Sequence, residues 1–141
     1  ELRDALAQIE DGEQQLIDGR AELEDAKAEL IARTSRMPDG ASPCHGDLML
    51  SNVIECADDG FAVVDWARAC RGRAAADDAV TLLLLEMEES AEMANAYRSR
   101  LDSDPREIAQ WTPLVAASRT MMANERERAF LIPKIFSPRN I

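Results

Sequence analysis

The chain has 141 residues, the length of one ordinary domain, and its 46% hydrophobic share can fill a core unless those residues are spent on an exposed helix. With 16 basic and 27 acidic residues the formal net charge is -11, which argues against nucleic acid or an anionic membrane surface as the principal partner. The longest apolar run lies within "TLLLLEM", Thr81 to Met87, far short of the about 20 residues a membrane helix requires, so it signals a buried helix and no membrane contact.

Cys44, Cys56 and Cys70 are odd in number and include no C-x-x-C pair. They fit reduced thiols and a cytoplasmic chain, rather than a disulfide framework or a zinc site shared with His45. The chain starts at Glu1 and not at Met, so it is expected to be a fragment or a processed product, and the lack of a leader carries little weight.

Residues 1–36 contain no proline, and Leu2, Ile9, Leu16, Leu23 and Leu30 recur seven apart. That spacing predicts a heptad helix; with those residues at position a, position d is filled by Ala5, Gly12, Gly19 and Ala26. Large residues alternating with small ones let two helices approach closely, and each glycine costs about 1 kcal/mol relative to alanine, so the helix is expected to need support. Self-association or another helix partner is one expectation for residues 1–36, and a solvated single helix or an intramolecular hairpin arm is the other. "TSRMPDGASP", Thr34 to Pro43, ends the periodicity with turn formers and sets a boundary between residues 1–36 and 37–141.

Beyond the boundary, "NVIEC" and "FAVVD" read as two short strands joined by "ADDG", with Asp59-Gly60 as the hairpin turn. Two strands alone are marginal and need a larger body to lie on. A helix is expected from Asp77 to about Leu101, capped by Asp77 or Asp78 and buried nearly all round its apolar run. "SDPRE" starts another, with Asp104 as N-cap, Pro105 in the first turn and Glu107 completing a capping box. Pro113 is expected to kink or restart that helix, and "PKIFSPRNI" to be irregular. The fold class is therefore mainly α with a small β-hairpin, an α+β body behind a long helix.

His45, Asp47 and Asn52 form H-x-D-x-x-x-x-N where the hairpin begins, and Asp65 stands at the end of its second strand. Transfer of a phosphoryl group to a hydroxyl needs such a set: a carboxylate that orients the hydroxyl and accepts its proton, and oxygen ligands that hold magnesium on nucleotide phosphates. Taken singly, each residue has a plainer explanation. His45 can be a hydrogen-bonded structural histidine, Asn52 a turn residue, and Asp65 and Asp77 helix caps.

Taken together, "CHGDLMLSNVI" and "FAVVDWARACRGRAAADDA" resemble the catalytic loop and following segments of the aminoglycoside phosphotransferase family, relatives of choline kinases and protein kinases. The resemblance runs over about residues 37–130 and implies the C-terminal lobe of a protein-kinase-like fold. It implies Asp47 as the catalytic aspartate, Asn52 and Asp65 as magnesium ligands, His45 as a support of the loop and Asp77 as a brace from the next helix. The implied cofactor is Mg2+ with ATP or another nucleoside triphosphate, and the implied second substrate is a small-molecule acceptor. The chain departs from the family's pattern at Met49 and Leu50, where histidine and proline are usual, and at Gly72, Arg73 and Ala74, where "GDP" is usual.

A kinase of this kind also needs a glycine-rich strand-turn-strand and a strand lysine to grip the nucleotide. Here the glycines lie apart at 12, 19, 40, 46, 60 and 72, and the two lysines are Lys27, on the heptad helix, and Lys134, in the tail. The chain is thus expected to lack the nucleotide-binding lobe and to have little or no activity alone. The alternative is a pseudoenzyme or interaction module that oligomerises through residues 1–36.

Overall fold

The computed structural model describes residues 2–57 and 59–136; Asp58 of the "ADDG" turn and the terminal "SPRNI" of the expected irregular tail lie outside the described residues. The chain divides into two compact units, Glu1–Met37 and Pro38–Ile141.

The first unit is one helix, α1, Leu2–Thr34. Its polar surface is laced by contacts between neighbouring turns: Gln14 Nε2 donates to Asp18 Oδ1 at 2.9 Å, Gln15 Nε2 to Asp11 Oδ2 at 2.8 Å, and Lys27 pairs with Glu24 at 3.0 Å. The hydroxyls of Thr34 and Ser35 fold back onto the carbonyls of Leu30 and Ile31 at the end, where Pro38 bars continuation. Ile9, Leu16 and Leu23 are 59%, 76% and 54% exposed, so the middle of the heptad stripe lies open.

The second unit carries four strands of three residues: β1, Ser42–Cys44; β2, Val53–Glu55; β3, Phe61–Val63; and β4, Cys70–Gly72. β2 and β3 pair antiparallel with Val53 opposite Val63, shorter than the two runs suggest. Their turn is not the tight Asp-Gly type. It spans Cys56 to Gly60, closed by Cys56 N–H to Gly60 O at 2.8 Å, and the positive φ falls on Asp59. The sequence pattern gives no hint of the second pair, in which β1 and β4 are antiparallel and Cys44 faces Cys70.

Among the described residues, two 3-10 turns, Leu50–Asn52 and Trp66–Arg68, and five further helical segments complete this unit: α2, Ala74–Leu84; a π-helical turn, Leu85–Glu89; α3, Ala91–Arg98; α4, Pro105–Thr120; and α5, Glu125–Ile135. α2 is the central element. Leu82 and Leu85 join Ala75, Ala79, Ala94 and Ile108 in one cluster, while Leu83 joins Ala116, Ala123 and Leu131 in another. Each buried leucine contributes roughly 1.5–3 kcal/mol, so a four-leucine run lying between two clusters explains why the sequence is apolar on all sides there.

Several expectations are corrected. The helix foreseen from Asp77 to Leu101 starts three residues earlier and is broken by the π-helical turn; Ser90 then caps α3, accepting from Met93 N–H at 3.1 Å. The N-cap of α2 is Arg73 and neither Asp77 nor Asp78. Asp104 does cap α4, accepting from Arg106 N–H at 2.8 Å, but Glu107 makes no capping box because its carboxylate is taken by Arg73 Nε and Nη2. α4 runs through Pro113, which is buried, without restarting. Pro133, Lys134 and Ile135 of the supposed irregular tail belong to α5, whose N-terminus carries a true capping box between Asn124 and Glu127.

Candidate active site

The loop that follows β1 turns sharply at Gly46, where φ is +78° and an added Cβ would lie 2.8 Å from the carbonyl oxygen of Arg68. Only glycine fits both conditions. The turn aims two consecutive amides at α2: His45 N–H donates to Asp77 Oδ2 at 2.8 Å and Gly46 N–H to Asp77 Oδ1 at 2.7 Å. A carboxylate in the first turn of α2 thus fastens the loop with both its oxygens.

His45 is buried at 3% exposure. Its Nε2 lies 2.9 Å from the carbonyl oxygen of Val64, which requires the proton on Nε2, and Nδ1 then accepts from Asp47 N–H at 3.3 Å. The ring of Trp66 leans on it with centroids 4.6 Å apart. One imidazole therefore joins the loop to the end of β3.

Asn52 ends a 3-10 turn, Leu50–Asn52, and its Nδ2 donates to the carbonyl oxygen of Asp47 at 2.9 Å. Its own carbonyl accepts from Val64 N–H at 2.9 Å. Val64 is tied on one side to Asn52 and on the other to His45, and the next residue is Asp65. Asp65 adopts the left-handed conformation, φ 59° and ψ 59°, with its carboxylate exposed and, among the described residues, unpaired. His45, Asp47 and Asn52 are directly bonded in one network; Asp65 adjoins it through the backbone, and Asp77 anchors it from α2.

Arg119, in the last turn of α4, is absent from the motif yet meets it: its Nη1 lies 3.0 Å from Asp47 Oδ1, with the two side chains 20% and 25% exposed. A trace of this is in the sequence. Arg119 follows buried Ala116 by three residues and half-buried Val115 by four, which places a cation on the inward face of α4. The other oxygen of Asp47, Oδ2, has no hydrogen-bond partner among the described residues.

The donors suit a hard divalent cation. Asn52 spends its amide nitrogen on the loop and keeps its oxygen, and Asp65 presents an unpaired carboxylate. Among the described residues no three His, Cys, Asp or Glu side chains converge on a metal position. An ion held here would take two side chains from the protein and its remaining oxygens from phosphate or water. No helix among the described residues is long and apolar enough to cross a membrane.

A family model described as "Phosphotransferase enzyme family" matches residues 1–111. The match takes in α1, which the motif resemblance omits, together with the loop, both strand pairs and Asp77, and it ends before Arg119. No curated protein and no solved structure matches the chain.

Proposed function

The chain belongs to the phosphotransferase enzyme family, and from that premise we propose that the loop around Asp47 is the catalytic loop of ATP- and magnesium-dependent phosphoryl transfer to a small-molecule hydroxyl, carried on a protein-kinase-like C-terminal lobe. The observation that carries the reading is the bonding of Asp47 to Asn52 and His45, with Asp77 holding the loop by two amides. Asp47 Oδ2 accepts the hydroxyl proton as the acceptor oxygen attacks the terminal phosphorus and the bond to the bridging oxygen breaks, releasing the nucleoside diphosphate, while Arg119 fixes the carboxylate through Oδ1. Asn52 and Asp65 are the residues that would hold magnesium. When bound, the ion offsets the negative charge of the phosphates.

Neither a glycine-rich loop nor a strand lysine is present in these 141 residues, so these residues by themselves would grip a nucleotide from one side only. We expect weak Mg-nucleotide binding and at most trace turnover by the chain alone. The test is transfer from γ-labelled ATP to a panel of aminoglycosides and amino alcohols, alongside calorimetric binding of Mg-ATP. Trace transfer lost in Asp47→Ala, with binding weakened in Asp65→Ala, is expected. Turnover that survives Asp47→Ala refutes the role of Asp47, and strong turnover abolished by it refutes the weak-grip prediction.

A second reading rests on α1. Its exposed Ile9, Leu16 and Leu23 suit a helix partner, so residues 1–36 would assemble copies of the chain or join it to another protein. Sedimentation over a wide concentration range tests self-assembly; a chain that stays monomeric throughout has no such partner in itself.

A further inference from the structure

β1 and β4 set Cys44 directly opposite Cys70, with Ser42 opposite Gly72. Opposed residues of an antiparallel pair have Cα atoms about 4.5–5.5 Å apart and side chains on one face, within the about 4.4–6.8 Å that a disulfide spans. The two sulfurs share the space over Gly72: a Cβ built on that residue would lie 3.4 Å from Cys44 Sγ and 3.9 Å from Cys70 Sγ. Glycine at this position leaves room for the two thiols to meet, and both are free.

Their surroundings differ. Cys44 is 5% exposed, and its thiol faces the carbonyl oxygens of Ser42 at 3.5 Å and Arg73 at 3.7 Å. Burial first, then the Asp77 carboxylate and the Cys70 thiol, push the Cys44 thiol up from its ordinary value. Cys70 is exposed, so it is the thiol a reagent reaches first.

We propose that Cys44 and Cys70 form an oxidisable thiol pair, a modification site at which a peroxide closes a disulfide around the catalytic loop. In the first step the Cys70 sulfur attacks a peroxide oxygen, the O–O bond breaks, and sulfenic acid and one water result. In the second, the Cys44 sulfur gives up its proton and displaces the hydroxyl from Cys70 sulfur; the S–S bond forms and a second water leaves. Two thiols lose two electrons to one hydrogen peroxide, which becomes two waters. The closed segment contains His45, Asp47, Asn52 and Asp65, so the bridge fastens the two ends of the stretch that bears them. The pair does not depend on the reaction proposed above, because it stands on the strand register and the placement of the two thiols over Gly72.

The test is peroxide treatment of the whole chain, capping of remaining thiols with N-ethylmaleimide, and digestion with trypsin together with a glutamyl protease. Cuts after Glu55 and Arg68 put the three cysteines on three peptides. The expected result is a mass loss of two hydrogens, a Cys44–Cys70 crosslinked peptide, maleimide on Cys56 only, and reversal by dithiothreitol. Cys70→Ser should abolish the crosslink and Cys56→Ser should leave it intact. Full maleimide labelling of Cys44 after peroxide, a bridge that includes Cys56, or sulfinic acid on Cys70 with Cys44 still free would each overturn the proposal.

Discussion

Replacing Asp77 with alanine removes the acceptor for two loop amides at once. The carboxylate takes His45 N–H at 2.8 Å and Gly46 N–H at 2.7 Å. Hydrogen bonds to a charged group contribute about 1.5–3 kcal/mol each, so losing both should cost about 3–6 kcal/mol. On a unit of about 100 residues, where 1 kcal/mol moves the thermal midpoint by about 4–8 °C, even the lower figure is a drop of about 12–24 °C. Asp77→Asn keeps one oxygen and turns an amide NH2 toward the other N–H, so it should cost about 2–3 kcal/mol and remain folded. Denaturant midpoints give the energies, and amide exchange at His45 and Gly46 reports the loop directly. Alanine and asparagine variants with the parent's midpoint and the parent's protection at both amides would refute the claim that Asp77 holds the loop.

Arg119→Ala should cost about 1–2 kcal/mol, because its pair with Asp47 is only partly screened by solvent; a double-mutant cycle with Asp47→Asn should return a coupling of about 1 kcal/mol, and strict additivity would rule the pair out. Gly12→Ala and Gly19→Ala meet no atom within 4 Å, so each should stabilise α1 by about 1 kcal/mol, seen as a higher melting point of its circular-dichroism signal, and unchanged melting would contradict this. Tyr97 is the one tyrosine, so its ionisation can be followed by absorbance: burial first, then Asp78, raise the phenol to about 12, and the midpoint should fall toward 10.0 in denaturant. Since the unfolded phenol ionises first, stability should decline as pH rises from about 10 through about 12, and less so in Tyr97→Phe.

What could be read from the sequence depended on range. The loop motif is legible because its chemistry is local: His45, Asp47 and Asn52 lie within eight positions, and the bond from Asn52 to Asp47 closes inside that window. The β1–β4 pair is illegible because each strand has three residues, too few for alternation to register, and their pairing spans the whole loop between them. Asp47–Arg119 is hidden for a similar reason, since packing of α4 against α2 joins residues 72 positions apart. Local propensity misleads where tertiary partners compete, as when Arg73 captures the carboxylate of Glu107 that would otherwise have closed a capping box. Pro113 does not restart the helix, because a buried position in α4 outweighs the bond its missing N–H forfeits.

Asp65 pays a conformational penalty that its neighbours do not, for an aspartate held at φ 59° is roughly 1 kcal/mol worse off than glycine would be. A library randomised at this codon and sorted only for folded protein should therefore drift toward glycine or asparagine. Sorting the same library for nucleotide binding should restore aspartate. Opposite outcomes at one codon would identify it as a position where fitness and foldability pull against each other.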